Sequence, residues 1–313
     1  MRRTPPYRQD PTVWKPSHDA KSLSKASLPD GIRIYAIGDI HGRTDLLRLL
    51  LAQIESDEAQ YPSTRSIIVF LGDYIDRGPD SRGTIDLLLA CARVREVIIL
   101  KGNHETFIRR FLDAPETLND WRSLGGLETL VSYGLRPSLS RSHCDQERLS
   151  QELLAALPPE HLAFFEALPS SFTCGDFVFV HAGIRPGIEL RKQKEDDLLW
   201  IREDFLHHSL PFEKFVVHGH TPVNVPDVRS NRVNIDTGAF ATGRLSCVMI
   251  EGREITPLVD IRDWTAGNST RVQDARAKHD DGIEAIHWSD RRRRNPQGAI
   301  NPGFIHSGAT RPL

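Results

Sequence analysis

The chain has no CxxC pair. Its four cysteines, Cys91, Cys144, Cys174 and Cys247, are scattered over 313 residues, and this spacing lacks the signature of a structural zinc site or a dithiol redox centre. No run approaches the ~20 consecutive apolar residues that a membrane-spanning helix needs. The opening stretch, MRRTPPYRQDPTVWKPSHDAK, places proline and polar residues where a secretory signal would need its apolar segment. These absences predict a cytoplasmic location with reduced thiols and no membrane partner. Charge of one sign is also missing: 40 Lys and Arg against 42 Asp and Glu leave a formal net charge of −2. A nearly balanced chain is not one that wraps nucleic acid through its overall charge, so nucleic acid is not an expected partner.

What is present, with 39% hydrophobic and 26% charged residues, has the balance of a globular chain able to bury a sizeable core. Three short motifs stand out: GDIHG at 38–42, GDYIDRG at 72–78 and GNHE at 102–105. Each directly follows an apolar run, IRIYAI, SIIVFL and EVIILK respectively. β-Branched runs bounded by glycine read as buried parallel strands, and in open α/β sheets ligands collect beyond the carboxyl ends of such strands. Helical spacing follows each motif. Thr44 can cap a helix with Leu46, Leu47, Leu50, Leu51 and Ile54 on one face, and Asp80 or Ser81 opens a second helix carrying Ile85, Leu88 and Leu89. Phe107, Ile108, Phe111 and Leu112 mark a third.

Residues 113–170 read as an inserted helical segment, with ERLSQELLAALP and PEHLAFFEALP bounded by proline. Strand signals return in FVFVHAG, KFVVHGH, RVNIDTG, LSCVMIEG and EITPLV, which predicts a mixed sheet or a second sheet packed on the first. The expected organisation is a mobile leader over 1–30, one α/β domain over 31–260 that contains the 113–170 insert, and an unfolded tail over 261–313. The arginines at 291–294 and His279, His287 and His306 fall in that tail and read as solvated and incidental.

The motif residues suggest metal chemistry. Two divalent ions ~3.5–4 Å apart can clamp a phosphoryl group when an anionic ligand bridges them, and Asp73 is the candidate bridge. Asp39 and His41 lie two residues apart on one loop, and Asn103 adds a neutral carbonyl oxygen. His181 and His220 come from later strand ends. Mixed oxygen and imidazole donors suit manganese, iron or zinc rather than calcium. Singly, Asp39 could cap a helix and Asp73 could make an Asx turn, while the glycines could relieve loop sterics. A chance gathering of all these groups at three consecutive strand ends is much harder to accept.

His104, beside Asn103, is the best proton donor to a leaving alkoxide, and Asp76 can hold its far ring nitrogen. A phosphate dianion wants forked guanidinium donors. Arg77 fits, as does Arg202 in LLWIR, with Arg185 and Arg191 as nearby competitors.

Residues 34–105, extended by HAG, LLWIR and GHTP to about residue 240, resemble the phosphoprotein phosphatase family of calcineurin-like metallophosphoesterases, and within it the bacterial and phage-type serine/threonine phosphatases. The resemblance implies a four-layer α/β fold, with two mixed β-sheets packed face to face and flanked by helices. It implies two divalent cations, manganese first, with Asp39, His41 and Asp73 on one and Asp73, Asn103, His181 and His220 on the other. By the family pattern the last ligand is His220, before Thr-Pro, rather than His218.

A metal-bridging hydroxide would attack phosphorus, with His104 as general acid paired to Asp76 and the phosphate held by Arg77, Arg202 and Asn103. The expected substrate is a phosphoserine or phosphothreonine protein, toward which LGGLETLVSYG tilts the reading; Trp121 and the glycines after it either floor a substrate groove, the slightly favoured reading, or pack the helical segment. The alternatives are symmetrical hydrolysis of diadenosine tetraphosphate and a noncatalytic binding module on the same fold.

Overall fold

Alternation along the strands builds the layers, as shown by a computed structural model that describes residues 26–137 and 142–258. In β1 (Ile32–Ile37) and β2 (Arg65–Phe70), Ile34, Ala36, Ile67 and Val69 join one core while Tyr35, Ile37, Ile68 and Phe70 join another. The period of two thus sends each strand's apolar residues to both faces, as a doubly covered sheet requires. Helix α1 (Thr44–Gln60) carries the crossover from β1 to β2, and α2 (Ser81–Ala92) the crossover to β3 (Val97–Ile99), so all three strands run parallel.

The chain then runs through α3 (Thr106–Asp113) and the four insert helices α4 (Leu118–Ser123), α5 (Gly126–Ser132), α6 (His143–Ala156) and α7 (Pro159–Ala167). A second sheet follows: β4 (Ser171–Cys174), β5 (Phe177–Val180), β6 (Phe215–His218), β7 (Asp227–Val228) and β8 (Arg232–Asn234), in the order β4-β5-β6-β8-β7. Between β5 and β6 lie α8 (Glu195–Trp200) and α9 (Glu203–Leu206), and after β8 comes the single turn α10 (Ala239–Thr242). The chain finally returns to the first sheet as β9 (Cys247–Glu251), antiparallel to β1, and β10 (Glu254–Leu258), antiparallel to β9, giving the order β10-β9-β1-β2-β3.

Phe177, Phe179, Phe215, Val217 and Val233 of the second sheet pack against Ile34, Ala36, Ile67, Val69, Val248 and Ile250 of the first. Outside the first sheet lie α1, α2, α3 and the insert. Outside the second, Val178, Val180 and Val216 pack on Leu198, Ile201 and Phe205. The expected two mixed sheets, face to face and flanked by helices, are what forms.

Two local expectations change. Thr44 is the first residue of α1 rather than its cap, because its hydroxyl has better partners across the turn: it donates to the Asp80 carbonyl (3.0 Å) and meets the Thr84 hydroxyl (2.8 Å), stitching α1 to α2. Asp80 does cap α2, accepting from the Gly83 amide at 2.9 Å. Residues 26–30, assigned to the leader, belong to the fold. Ala26 and Leu28 are buried in the inter-sheet core, and the Leu28 amide donates to Gly252. The rest of the leader and the tail, with the arginines at 291–294 and His279, His287 and His306, lie outside the described residues.

Candidate active site

Strand ends of both sheets converge. Asp39 and His41 follow β1, Asp73, Asp76 and Arg77 follow β2, and Asn103, His104 and Glu105 follow β3. His181 follows β5, His220 follows β6 and Asp236 follows β8. The loops touch closely enough to require glycine. A Cβ on Gly72 (φ 110°) would lie 2.6 Å from Gly102 Cα, and one on Gly102 would lie 2.2 Å from Asp73 Oδ1.

Among the described residues, those other than glycine with positive φ are His41 (46°), Asp73 (53°), Asp76 (72°), Arg77 (65°) and His220 (68°), all of them residues singled out from the sequence. Such conformations are disfavoured for residues with a Cβ and cluster where function holds them in place.

The donor atoms confront one another. The Ile75 carbonyl accepts from His41 Nδ1 (2.8 Å) and the Leu71 carbonyl from His181 Nδ1 (3.0 Å). Each carbonyl thereby fixes the tautomer and leaves Nε2 as a lone pair. His181 Nε2 then lies 2.8 Å from Asn103 Oδ1 and 3.3 Å from Asp73 Oδ1, acceptor against acceptor. His220 Nδ1 lies 3.1 Å from the same nitrogen, and the buried His220 Nε2 has no hydrogen-bond partner. Burial lowers His181 and drives His41 to about 3 and His220 to about 2, so these imidazoles are neutral. Burial would raise Asp73, but His181, His104, His41 and His220 around it hold it below the usual carboxylate range to the extent that any of them carries a proton. Buried lone pairs facing one another beside a carboxylate are a poor arrangement for a protein alone and a good one for a cation.

Two groups of potential ligands share Asp73: His41, Asp73 and His104, and Asp73, His181 and His220. Asp39 falls in neither. Its carboxylate accepts from the His220 amide (3.1 and 3.3 Å), and burial with the charges of Asp236 and Asp73 pushes it well above its ordinary value. His218, the competitor of His220, is fully buried against Phe205 at 4.8 Å and is in neither group.

His104 is held from behind. Its Nδ1 donates to Asp76 Oδ2 at 2.6 Å, and the remaining capacity of that carboxylate is filled by Trp121 Nε1 (2.8 Å) and the Thr129 hydroxyl (2.6 Å). Burial would lower His104, but Asp73 and the bonded, charged Asp76 raise it. Trp121 therefore does not floor a groove. It is fully buried, stacked on Phe107 at 6.3 Å, because its indole N–H has a carboxylate to satisfy. The insert is a brace for the Asp76 loop, and the Gly125 carbonyl also accepts from the Arg77 amide at 3.1 Å.

Two buried acids went unassigned in the sequence. Glu105 Oε2 accepts from the amides of Gly102 (2.8 Å) and Asp73 (2.9 Å), and Oε1 from that of Tyr74 (2.7 Å), tying the second and third motifs together. Burial and the Asp73 charge push it up to about 7 against the pull of those amides. Asp236, which burial and the Asp73 charge raise to about 6, accepts from the Gly238 amide at 2.8 Å. Its signal was available: RVNIDTG repeats the pattern of an acid just past an apolar run.

Arg77 spreads its fork over two imidazoles, Nη1 at 3.2 Å from His41 Nε2 and Nη2 at 3.2 Å from His104 Nε2. Arg202 donates to the Thr221 hydroxyl (3.0 Å) and the His220 carbonyl (3.4 Å). The competitors are occupied elsewhere, Arg185 on Asp197 and Asp204 and Arg191 on Glu189. Beside Arg77 opens a shallow cleft of about 460 Å³ lined also by Arg43, Thr44, Asp45 and Phe240.

The sequence profile of the calcineurin-like phosphoesterases matches residues 32–242, and the chain belongs to that family of metallophosphoesterases. Over 233 residues it is 27% identical to a bis(5'-nucleosyl)-tetraphosphatase PrpE [asymmetrical] of Anoxybacillus flavithermus, covering 68% of this chain and 88% of that protein. It is 27% identical to the Bacillus subtilis protein of the same name, covering 67% and 87%. It is 29% identical over 228 residues to serine/threonine-protein phosphatase 2 of Salmonella typhimurium, covering 70% and 93%.

Proposed function

We propose that this chain is a two-metal phosphomonoesterase acting on phosphoserine or phosphothreonine in proteins. The observation that carries the metal-dependent hydrolysis is the set of neutral, carbonyl-fixed imidazoles whose lone pairs meet Asn103 and Asp73. In this reading Asp39, His41 and Asp73 hold one divalent ion, manganese before iron or zinc, and Asp73, Asn103, His181 and His220 hold the other. Bound there, the pair would supply Lewis-acid neutralisation of the phosphoryl oxygens and an activated water.

The chain's own residues do the rest. Arg77 and Arg202, neither in an ion pair with a carboxylate among the described residues, offer two forks to the phosphate, joined by Asn103. Two forks suit a terminal phosphomonoester, whose charge approaches −2 at neutral pH. His104, with Nδ1 fixed on Asp76, presents Nε2 to give a proton to the leaving oxygen. Asp76 stays in place because Trp121 and Thr129 saturate it. A noncatalytic module would have no use for this brace.

A second reading, hydrolysis of a dinucleoside tetraphosphate, is favoured by the cleft beside Arg77 and by the names of two of the relatives. Those relatives are named asymmetrical, whereas the reaction expected from the sequence as the alternative was the symmetrical one.

Phosphate release from a phosphoserine peptide should require added manganese, vanish with chelator and return with excess metal. Its kcat/KM should exceed that for diadenosine tetraphosphate cleavage. Faster dinucleotide cleavage would replace the first reading with the second, and product analysis would then separate symmetrical from asymmetrical cleavage.

A further inference from the structure

We infer that Phe240 forms a subsite for a planar aromatic group carried by the phosphate substrate, and that its ring sets a preference for ring-bearing over alkyl phosphates. The inference rests on the phosphoester reading above but not on its phosphoserine or phosphothreonine substrate, whose alkyl carbon would leave the ring unused; it adds the chemistry of the group attached to phosphorus and weighs toward the second reading.

Phe240 sits on the single turn α10, which is pinned rather than loose. Arg43 Nη1 donates to the Ala239 carbonyl at 3.1 Å, the Thr242 hydroxyl donates to the Thr237 carbonyl at 2.8 Å, and Ala239 is buried in the core. Despite this firm seat, Phe240 keeps 37% of its residue surface exposed and lines the cleft. Other exposed apolar side chains, such as Leu210, Val94 and Leu154, do not line that cleft.

The ring is also wired to the site. Arg77 Cζ lies 4.9 Å from its centroid, and His41 packs on it in a T-shaped pair with centroids 5.5 Å apart and the rings at 83°. A phosphate gripped by Arg77 lies close to this ring, so a substituent directed toward the cleft would meet the side of the ring that Arg77 leaves open. The cleft is shallow and open, and its wall joins one aromatic ring to Arg43, Thr44 and Asp45, so it would cover one side of a bound ring rather than enclose it. Stacking between a flat ring and an aromatic side chain tolerates many ring types. A nucleobase and a phenyl-type ring therefore share the required chemistry.

The test compares the parent with Phe240→Ala and Phe240→Tyr on phenyl phosphate, propyl phosphate and diadenosine tetraphosphate. Loss of the ring also frees Arg77, so all rates can fall together, and the readout is the ratio between substrates. With Ala, kcat/KM for a ring-bearing substrate should fall roughly fivefold or more relative to propyl phosphate, the lower end of what removing a stacking partner costs. Tyr should restore the ratio.

A drop for the dinucleotide alone identifies a base as the occupant, and a drop for phenyl phosphate alone identifies a simple aryl ring. Ratios unchanged for both overturn the inference. If the parent hydrolyses none of the substrates, the phosphoester reading fails. Calorimetric binding of phenylphosphonate against propylphosphonate, with manganese present, then decides the subsite: a preference for the phenyl compound that Ala abolishes supports it, and equal binding overturns it.

Discussion

Replacing His104 with Asn should lower kcat by ~10²–10⁴, the usual worth of a positioned general acid, with little change in metal uptake. Asn removes the titrating ring while preserving a polar side chain above Asp76, so the loss reports proton donation rather than collapse of the loop. The pH profile adds a second readout. Burial alone would lower the His104 pKa, but Asp73 and the bonded Asp76 carboxylate raise it. The donor form is the protonated one, so activity is present below the raised pKa and is lost as pH climbs through it. That alkaline limb should be absent in His104→Asn and should move to lower pH in Asp76→Asn, which weakens the pull on the ring. An Asn variant that hydrolyses an aryl phosphate as fast as the parent, at every pH, would remove His104 from the chemistry.

The second large effect concerns stability. Glu105→Gln is nearly isosteric, yet above about pH 8, where the Glu105 carboxyl raised to about 7 is ionised, it should destabilise the protein by about 2–4 kcal/mol, because a buried hydrogen bond to a charged group is worth ~1.5–3 kcal/mol and an amide NH₂ would now face a backbone donor. Both carboxylate oxygens are in use, one on Gly102 and Asp73 and the other on Tyr74, so no rotation of the amide avoids the clash. For a domain whose total stability is ~5–15 kcal/mol this is a large share. Denaturant unfolding of parent and variant measures it directly. A shift under about 0.5 kcal/mol, the size of an ordinary surface substitution, would contradict the role given to Glu105.

Those two residues also show which parts of this protein are legible in its sequence. The strand-end chemistry could be read because each apolar run is followed within a few residues by its Asp, His or Asn, so pattern and function share one stretch of chain. The two sheets could be read because apolar residues on alternate positions must be covered on both sides. Glu105 was seen as part of GNHE, but its amide partners on Asp73 and Tyr74 lie 32 and 31 residues upstream, which no local period reveals.

For Trp121 the sequence leaves groove and packing almost evenly balanced, leaning to the groove for the same reason. Its helical surroundings say that it packs, and only the tertiary fold shows its N–H reaching Asp76 across 45 residues. Residues 26–30 carry too few apolar side chains to register as an element, yet Leu28 fills a space between the sheets. Asp236 differs: its signal was in the sequence, and it went unassigned.

The account stands or falls on the cation pair. Metal-free protein titrated with manganese, with bound metal counted by elemental analysis after removal of free ion, should saturate at two ions per chain. Asp73→Asn, which alters the carboxylate common to both ligand groups, should weaken both sites together. Saturation at one ion or none, or an Asp73→Asn protein that still binds two with unchanged affinity, would contradict it.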